Sequence, residues 1–208
     1  VVWQSTRSEL YEAALKTLSD NGMVFHCSCT RSQLHDQNGI HHRCVAPINP
    51  SAYAIRLRAA KKSIRFDDGI YGSQTQDLYT DVGDVVLQRV DGLYAYQLAV
   101  VVDDFEQGIN QIVRGADLLD STPRQVFLQQ QLGMPGPAYF HIPLVLDEAK
   151  HKLSKSQWAA SLDEEDRFHA FSAACRHLGQ DTRPLRRQNS MARNLALALE
   201  HFSLQALK

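Results

Sequence analysis

Three cysteines and one histidine with the chemistry of metal ligands lie close together near the start of the chain. Cys27 and Cys29 are separated by one residue, His41 follows after eleven more, and Cys44 after a further two. Thiolate and imidazole groups are the ligands that Zn²⁺ takes in closed, four-coordinate structural sites. The set therefore predicts one structural zinc ion per chain.

The identity of the fourth zinc ligand stays open on the sequence alone. His41 and His42 are adjacent, and His26 and His35 are further candidates. The alternative interpretation of the cluster is a group of reduced core cysteines with histidines at the surface. The remaining cysteine, Cys175, lies beside alanines on an apolar helical face and is interpreted as a small core residue.

A second candidate site is a polar loop in which serines bracket two lysines. It follows an apolar run at 142–146 and a polar turn, and it reads Lys152, Leu153, Ser154, Lys155, Ser156. Two compact ammonium groups can neutralise the charge that develops on a leaving pyrophosphate. The loop indicates a polyphosphate site, and an ordinary solvated turn is the alternative.

A third set comprises polar residues next to apolar segments. Arg114 follows an apolar stretch at 112–113, and Asp103 ends the apolar run that begins at Tyr96. At the carboxyl edge of an open α/β sheet, Arg114 could bind a carboxylate through two hydrogen bonds, with the Tyr96 hydroxyl nearby. The alternative is structural: Arg114 would pair with Asp103 or Asp117, and Tyr96 would belong to the core.

The elements that must position these groups favour an α/β protein with part of a parallel sheet. Periodicity and capping residues predict helices at 4–24, 121–132, 163–178 and 190–207. Alternating or continuous apolar patterns predict strands at 53–58, 63–66, 83–90, 96–102, 112–113 and 141–146. Residues 25–50 read as a loop region that needs a staple such as a metal ion.

Composition and charge narrow the classes of function. Of the 208 residues, 44% are hydrophobic, which is enough for a folded core. The formal net charge of -1 argues against nonspecific coating of nucleic acid, so a tRNA contact would need a local basic patch. No apolar run has the length of a membrane span, and the first residues lack a signal-peptide pattern. We expect a cytoplasmic monomer without a membrane partner.

Four segments that occur in order resemble one family of enzymes. They lie at 94–104, 113–125, 141–146 and 152–156. Together they resemble the second half of the catalytic domain in the glutamyl-tRNA synthetase group of class I aminoacyl-tRNA synthetases, whose mobile lysine-serine loop binds ATP. Segments 4–7 and 27–31 are similar to the same group, so the resemblance covers most of residues 1–156.

Within this group the chain most resembles the glutamyl-queuosine tRNA(Asp) synthetases, which are truncated paralogues. They activate glutamate with ATP and transfer it to the queuosine base in the anticodon of tRNA(Asp). Ordinary glutamyl-tRNA synthetases, in contrast, need tRNA for activation. Only 52 residues follow Ser156, whereas an anticodon-binding domain usually takes about 100 residues or more, so we expect the truncated form.

The resemblance implies substrate contacts for individual residues. It implies that Tyr96 and Arg114 bind glutamate, with Arg114 pairing with a carboxylate. It also implies that Lys155 contacts ATP within the 152–156 loop and stabilises the departing pyrophosphate as the catalytic group. Mg²⁺ is expected on the ATP phosphates.

The resemblance also implies a zinc site with one departure from the family. Cys27, Cys29 and Cys44 would hold the ion, with a fourth ligand at the position of His41. Family members often have tyrosine there, and histidine is the better zinc ligand. The departure keeps the choice between His41 and His42 open.

The implied fold is an incomplete Rossmann-like catalytic domain of a class I synthetase, with an inserted zinc-stapled subdomain and a short C-terminal helical region. The expected segments are a helix of the first half at 1–24, the zinc-binding subdomain at 25–90, the second half at 91–146, and the lysine-serine loop with the helical region at 147–208. Members of the family open with a strand and a His-Ile-Gly-His-like loop. The sequence as given starts at Val1 without that segment. We therefore expect the chain as given not to catalyse the reaction alone.

Two other functions stay open at this point. One is a fragment of a discriminating glutamyl-tRNA synthetase, and the other is a non-catalytic zinc-containing module that binds tRNA. Four arginines near the C-terminal helix could touch tRNA phosphates, although a solvated face is the favoured interpretation: Arg183, Arg186, Arg187 and Arg193.

Overall fold

The computed structural model describes residues 2–30, 32–37, 39–49, 51–146, 152 and 166–207. Contacts divide them into two compact units. The first unit takes its residues from Val1–Asp67, Ser73–Ile112 and Asp120–Ala138, and the second from Asp68–Gly72, Val113–Leu119 and Tyr139–Lys208. Within the described residues, no helix has the length and apolar character needed to cross a membrane.

The first unit combines an antiparallel sheet with a layer of helices. Its strands β1 (Val24–Cys27), β2 (Ala54–Leu57) and β5 (Val85–Gln88) lie in the order β1-β2-β5, with Cys27 opposite Ala54. The helices are α1 (Ser8–Asp20), α2 (Leu78–Asp81), α3 (Tyr96–Glu106) and α4 (Thr122–Leu132). Their shared core buries Leu18, Leu98 and Leu128 completely, and this burial supplies most of the driving force that holds the layers together.

The predicted strand at 96–102 is wrong, because these residues form the first part of α3. Leu98, Ala99, Val101 and Val102 are all buried, which is the i, i+1, i+3, i+4 spacing of one helical face. A short continuous apolar run fits a buried strand and a buried helix equally well. The helix continues into Asp103, whose buried carboxylate ties α3 to the start of the chain.

A second sheet has the strand order β4-β3-β7-β6. Its strands are β3 (Ser63–Asp68), β4 (Gly72–Asp77), β6 (Gln111–Gly115) and β7 (Ala138–Ile142). The pair β3–β7 is parallel, with Asp68 opposite Tyr139, both in the second unit. The strand predicted at 141–146 begins earlier, at Ala138, and ends before Pro143, which has no N–H to donate to a neighbour.

The second unit also contains two helices after the lysine-serine segment. Helix α5 (Arg167–His177) is capped by the Asp166 carboxylate and α6 (Met191–Glu200) by the Ser190 hydroxyl. Each cap satisfies an N–H that the first helical turn leaves without a partner. Both helices fall inside the predicted ranges, and 3-10 turns lie at Gln4–Thr6, Ser32–Gln37, Ala116–Ser121 and Leu204–Leu207.

Candidate metal centre and substrate-binding residues

The four predicted zinc ligands come together in the first unit. The ligand atoms of Cys27, Cys29, His41 and Cys44 all lie within 4.8 Å of one another. Nε2 of His41 is 3.3 Å from Sγ of Cys27, close to the separation of about 3.5 Å that a sulfur and a nitrogen have across tetrahedral zinc. None of the three cysteines forms a disulfide. The donor set and its spacing fit a zinc ion.

His41, and not His42, is the histidine that faces the cysteines. Its ring is 1% exposed, and Nδ1 lies 2.8 Å from Oδ2 of Asp84. A carboxylate only accepts hydrogen bonds, so Nδ1 carries the proton and Nε2 of the neutral ring presents its lone pair to the cluster. The His42 ring packs against Tyr79 at 4.7 Å, and His26 stacks on Tyr53 at 4.0 Å. The side chain of His35 lies outside the described residues.

Local backbone geometry brings His41 to the end of strand β1. Gly83 has a φ of +72°, and a Cβ there would meet the carbonyl oxygen of His41 at 2.4 Å. The backbone of His41 forms a bridge with Gly83, and the N–H of Asp84 donates to its carbonyl at 2.7 Å. Asp84 was missed by the sequence reasoning, which placed it inside a strand. The Gly-Asp pair is the only sequence signal that could have suggested it.

The electrostatics of the cluster favour a bound cation. Burial, together with the neighbouring Cys27 and Cys29, raises the pKa of the Cys44 thiol to about 11. Burial also opposes ionisation of Cys29, but the backbone N–H groups of Ala46 and Val45 outweigh it and lower the pKa of that thiol. The Cys44 thiol therefore resists ionisation beside the other two cysteines. A divalent cation would remove that repulsion.

Tyr96 is the first residue of α3 and is half exposed. The other end of α3 is anchored by the Asp103 carboxylate, which accepts from Nε of Arg7 at 2.6 Å and from the Tyr11 hydroxyl at 2.9 Å. These bonds engage Asp103 within the first unit. The structure thus shows Asp103 holding α3 to α1 and the residue before it.

Arg114 lies on β6 in the second unit, beside two residues that sequence reasoning did not assign a role. Its Nε donates to Nε2 of His141 at 3.0 Å, and its guanidinium lies 5.3 Å from the centre of the Tyr139 ring. His141 in turn contacts Asp68 through Nδ1 at 2.6 Å. The sequence patterns assign Asp68 to no helix or strand and place His141 only at the start of a strand, so nothing in their local patterns joins them.

Of the lysine-serine loop, only Lys152 falls within the described residues. Its Nζ pairs with the carboxylate of Asp117. This hydrogen bond is the main reason that the pKa of Asp117 is lowered, and the charge of Arg114 adds to it. Leu153, Ser154, Lys155 and Ser156 lie outside the described residues, so the ATP-binding role of the loop stays a prediction.

Three of the C-terminal arginines have local partners. Arg183 pairs with Asp181 at 2.8 Å, Arg187 pairs with Asp166 at 3.2 Å, and Arg186 donates to the backbone. These contacts agree with the interpretation of a solvated face. Cys175 is buried on α5, as predicted for a core residue.

Comparisons with known proteins agree with the family resemblance. Residues 1–168 match the model of the class I tRNA synthetases (E and Q), catalytic domain. The chain is 51% identical over 208 residues to a glutamyl-Q tRNA(Asp) synthetase of Xanthomonas oryzae pv. oryzae, covering all of this chain and 69% of that protein. A glutamyl-Q tRNA(Asp) synthetase of Burkholderia cenocepacia is 46% identical over 192 residues, covering 86% of this chain and 64% of the relative.

A comparison with solved structures supports the fold. A glutamate tRNA ligase from Elizabethkingia meningosepticum superposes with a TM-score of 0.71 at 20% identity, covering 98% of this chain and 49% of that one. The described architecture is therefore the α/β catalytic fold of a class I synthetase. From the family match and the identity to these relatives, the chain belongs to the class I glutamyl- and glutaminyl-tRNA synthetase family, in its glutamyl-Q tRNA(Asp) synthetase branch.

Proposed function

We propose that this protein activates glutamate with ATP and transfers it to the queuosine base of tRNA(Asp). The observation that carries the proposal is the 51% identity to a glutamyl-Q tRNA(Asp) synthetase along the whole chain. The geometry adds support, because the cation Arg114 is held on a strand by a buried histidine. A guanidinium presented in this way suits recognition of a carboxylate.

In the first step a carboxylate oxygen of glutamate attacks the α-phosphorus of ATP, and the bond to pyrophosphate breaks. Arg114 binds a glutamate carboxylate, and the Tyr96 hydroxyl contributes a further polar contact. Lys155, in the 152–156 loop, stabilises the negative charge on the departing pyrophosphate. Mg²⁺ bound with the ATP would share in neutralising that charge. The residues contribute by positioning and by charge stabilisation.

In the second step a hydroxyl of the queuosine base attacks the carbonyl carbon of the glutamyl-adenylate. An ester forms, and AMP leaves. The protein needs to hold the adenylate in place and to exclude water, because water would otherwise hydrolyse this mixed anhydride. The tRNA(Asp) anticodon region is the macromolecular substrate, and the reaction belongs to the cytoplasm, where free thiols stay reduced.

The zinc ion that we propose for the cysteine cluster has a structural role. Cys27, Cys29, His41 and Cys44 fill four positions and leave none for substrate, which is the arrangement of structural zinc. The ion would crosslink the end of β1 to the loop that carries His41 and Cys44. We propose that it staples an inserted subdomain at 25–90, between segments 1–24 and 91–146 of the nucleotide-binding fold, with a helical region at 147–208.

The test is glutamate-dependent exchange of pyrophosphate into ATP by the complete gene product without tRNA. We expect exchange when glutamate is present and no exchange when glutamine replaces glutamate. Exchange that appears only after tRNA is added would instead indicate an ordinary glutamyl-tRNA synthetase. A protein that gives no exchange in either condition yet binds tRNA would overturn the proposal in favour of a non-catalytic module.

A further inference from the structure

A chain of three hydrogen-bonded side chains, two of them buried, lies in the second unit. Oδ2 of Asp68 lies 2.6 Å from Nδ1 of His141, and Nε2 of the same ring lies 3.0 Å from Nε of Arg114. The side chains of Asp68 and His141 are both 0% exposed. Asp68 and His141 are 73 positions apart in the sequence, and His141 and Arg114 are 27 apart, so only the fold brings them together.

The two outer partners fix the proton on the imidazole. The Nε of arginine always carries a hydrogen and can only donate, so Nε2 of His141 must accept. The proton of the neutral ring then lies on Nδ1, which donates to the carboxylate of Asp68. This arrangement places one tautomer of His141 between an anion and a cation.

Asp68 is itself held in place by the backbone. Its carboxylate accepts from the N–H groups of Ile70 at 3.0 Å, Tyr71 at 2.9 Å and His141 at 3.2 Å. Burial opposes its ionisation, but these donors and the His141 ring outweigh burial and lower its pKa. The Asp68 carboxylate is therefore a fixed negative charge, and its hydrogen bond to Nδ1 positions the imidazole of His141.

Arg114 receives its orientation from this chain. The arginine side chain is flexible, with several rotatable bonds. Its hydrogen bond to Nε2 of His141 sets the direction of the guanidinium, which lies 5.3 Å from the centre of the Tyr139 ring. A guanidinium that is ordered before the substrate arrives loses less conformational freedom on binding. Positioning of this kind is what a binding site needs from the residues behind its contacts.

We infer that His141, oriented by Asp68, is a positioning residue that directs Arg114 and thereby sets the affinity of the enzyme for glutamate. The inference rests on the proposed role of Arg114 as a glutamate-binding residue. It assigns Asp68 and His141 a role that acts through the guanidinium. A merely structural role for the same buried pair would affect folding and all substrates alike.

Two substitutions of similar size separate these roles. In His141→Asn the short amide reaches the position of Nδ1, so it keeps the contact with Asp68 and loses the acceptor for Arg114. In His141→Gln the longer amide reaches the position of Nε2, so its oxygen can still accept from Arg114. Both variants leave a polar group in the same buried space, which makes them matched controls for each other.

The readout is the KM for glutamate and for ATP in pyrophosphate exchange by the complete gene product. For His141→Asn we expect the KM for glutamate to rise about tenfold, or about 1.4 kcal/mol, because a displaced contact weakens binding. For His141→Gln we expect a rise of less than about threefold. The KM for ATP should change by less than about twofold in both. Equal effects of the two variants, or equal effects on glutamate and ATP, would overturn the inference.

Arg114→Lys separates this inference from the proposed function. If Arg114→Lys leaves the KM for glutamate unchanged, the assignment of Arg114 to glutamate is wrong, and the positioning role falls with it. If Arg114→Lys raises that KM while His141→Asn does not, only the positioning role is wrong.

A second measurement applies even if the protein gives no exchange. Nitrogen NMR of histidine-labelled protein should show His141 with its hydrogen on Nδ1 and an accepting Nε2, assigned by its loss in His141→Gln. Arg114→Lys should shift the Nε2 resonance of His141. A hydrogen on Nε2, or an Nε2 resonance that does not respond to Arg114→Lys, would contradict the inferred chain.

Discussion

The two units each contain a buried histidine that is paired with an aspartate, and the pairs differ in their third partner. In the first unit, Nδ1 of His41 lies 2.8 Å from Asp84, and Nε2 faces the thiol of Cys27. In the second unit, Nδ1 of His141 lies 2.6 Å from Asp68, and Nε2 faces a guanidinium. In both, the carboxylate fixes the tautomer that leaves a lone pair on Nε2.

The difference shows how one pair of residues can serve two purposes. A lone pair on Nε2 of a buried ring needs a hydrogen-bond donor or a metal ion as its partner. The pair around His141 has that partner within the chain, because Arg114 supplies it. The pair around His41 has the thiol of Cys27 beside it, and an S–H group is only a weak hydrogen-bond donor to Nε2. The pair around His41 is therefore suited to a metal ion as its third partner, whereas the pair around His141 has a cation of the chain itself.

The largest effect should come from breaking the metal centre. In Cys27→Ser we expect the bound zinc to fall from one equivalent to none, because zinc coordinated by three remaining ligands is held far less tightly. Loss of a structural zinc ion removes a large share of folding free energy, on the order of 10 kcal/mol in small zinc domains. Metal analysis of the purified protein and a thermal melt would measure both changes.

Cys175→Ala provides the matched control for that experiment, because Cys175 is a buried cysteine on α5 in the other unit. It should retain one equivalent of zinc. Retention of zinc in Cys27→Ser, or its loss in Cys175→Ala, would show that the cluster is not the metal site.

The next effect tests the carboxylate of the first pair. Asp84→Asn keeps an acceptor for the N–H of Ala59, which donates to Asp84 at 2.8 Å, but it removes the charge behind His41. We expect zinc affinity to fall about 10- to 100-fold, the usual cost of losing a partner of a metal-bound histidine. Competition with a chromophoric chelator would measure it. The KM for glutamate is the control and should stay within about twofold. A change in that KM with unchanged zinc affinity would show that Asp84 serves glutamate binding and not the metal cluster.

A smaller effect should come from the carboxylate of the second pair. In Asp68→Asn we expect the KM for glutamate to rise about tenfold or less, because His141 loses the anion that fixes its tautomer. Zinc content should remain at one equivalent. If Asp68→Asn instead released zinc and left glutamate binding intact, the two pairs would not have the separate purposes described above.

A last effect, on stability and not on binding, concerns the buried carboxylate of Asp103, which is paired with Arg7 and Tyr11. Burial first, and the hydrogen bond to Asp103 second, raise the pKa of Tyr11 to about 12. Because the folded pKa lies above the unfolded value of about 10, the phenol contributes stability below pH 10 and loses that contribution as the pH rises toward 12. Chemical denaturation at pH 8, 10 and 11.5 should show this loss. The Tyr11→Phe variant should lack this loss of stability at high pH. Identical pH profiles of the free energy of unfolding in the variant and the parent protein would refute the assignment.

Local sequence patterns were enough for several elements and for the cluster of three cysteines and one histidine. The helices α1 and α4 were predicted from apolar spacing and from terminal residues such as Pro123 and Gly133, and both are found. Cys27, Cys29, His41 and Cys44 lie within eighteen positions, so their types and spacing alone brought them into one hypothesis. The strand prediction at 96–102 was wrong because the apolar residues of this run have no periodicity that distinguishes a buried helix from a buried strand.

The sequence by itself determined which chemistry is available: thiolates and imidazole for zinc, a guanidinium for a carboxylate, and the family to which these patterns belong. Only the tertiary structure decided which carboxylate stands behind each histidine, since Asp84 and Asp68 are 43 and 73 positions from their partners. Pairings over such distances arise from strand order and packing, which no local pattern encodes. The choice between His41 and His42 also depended on the fold. The backbone bridge between His41 and Gly83 holds one of the two neighbouring histidines at the cluster.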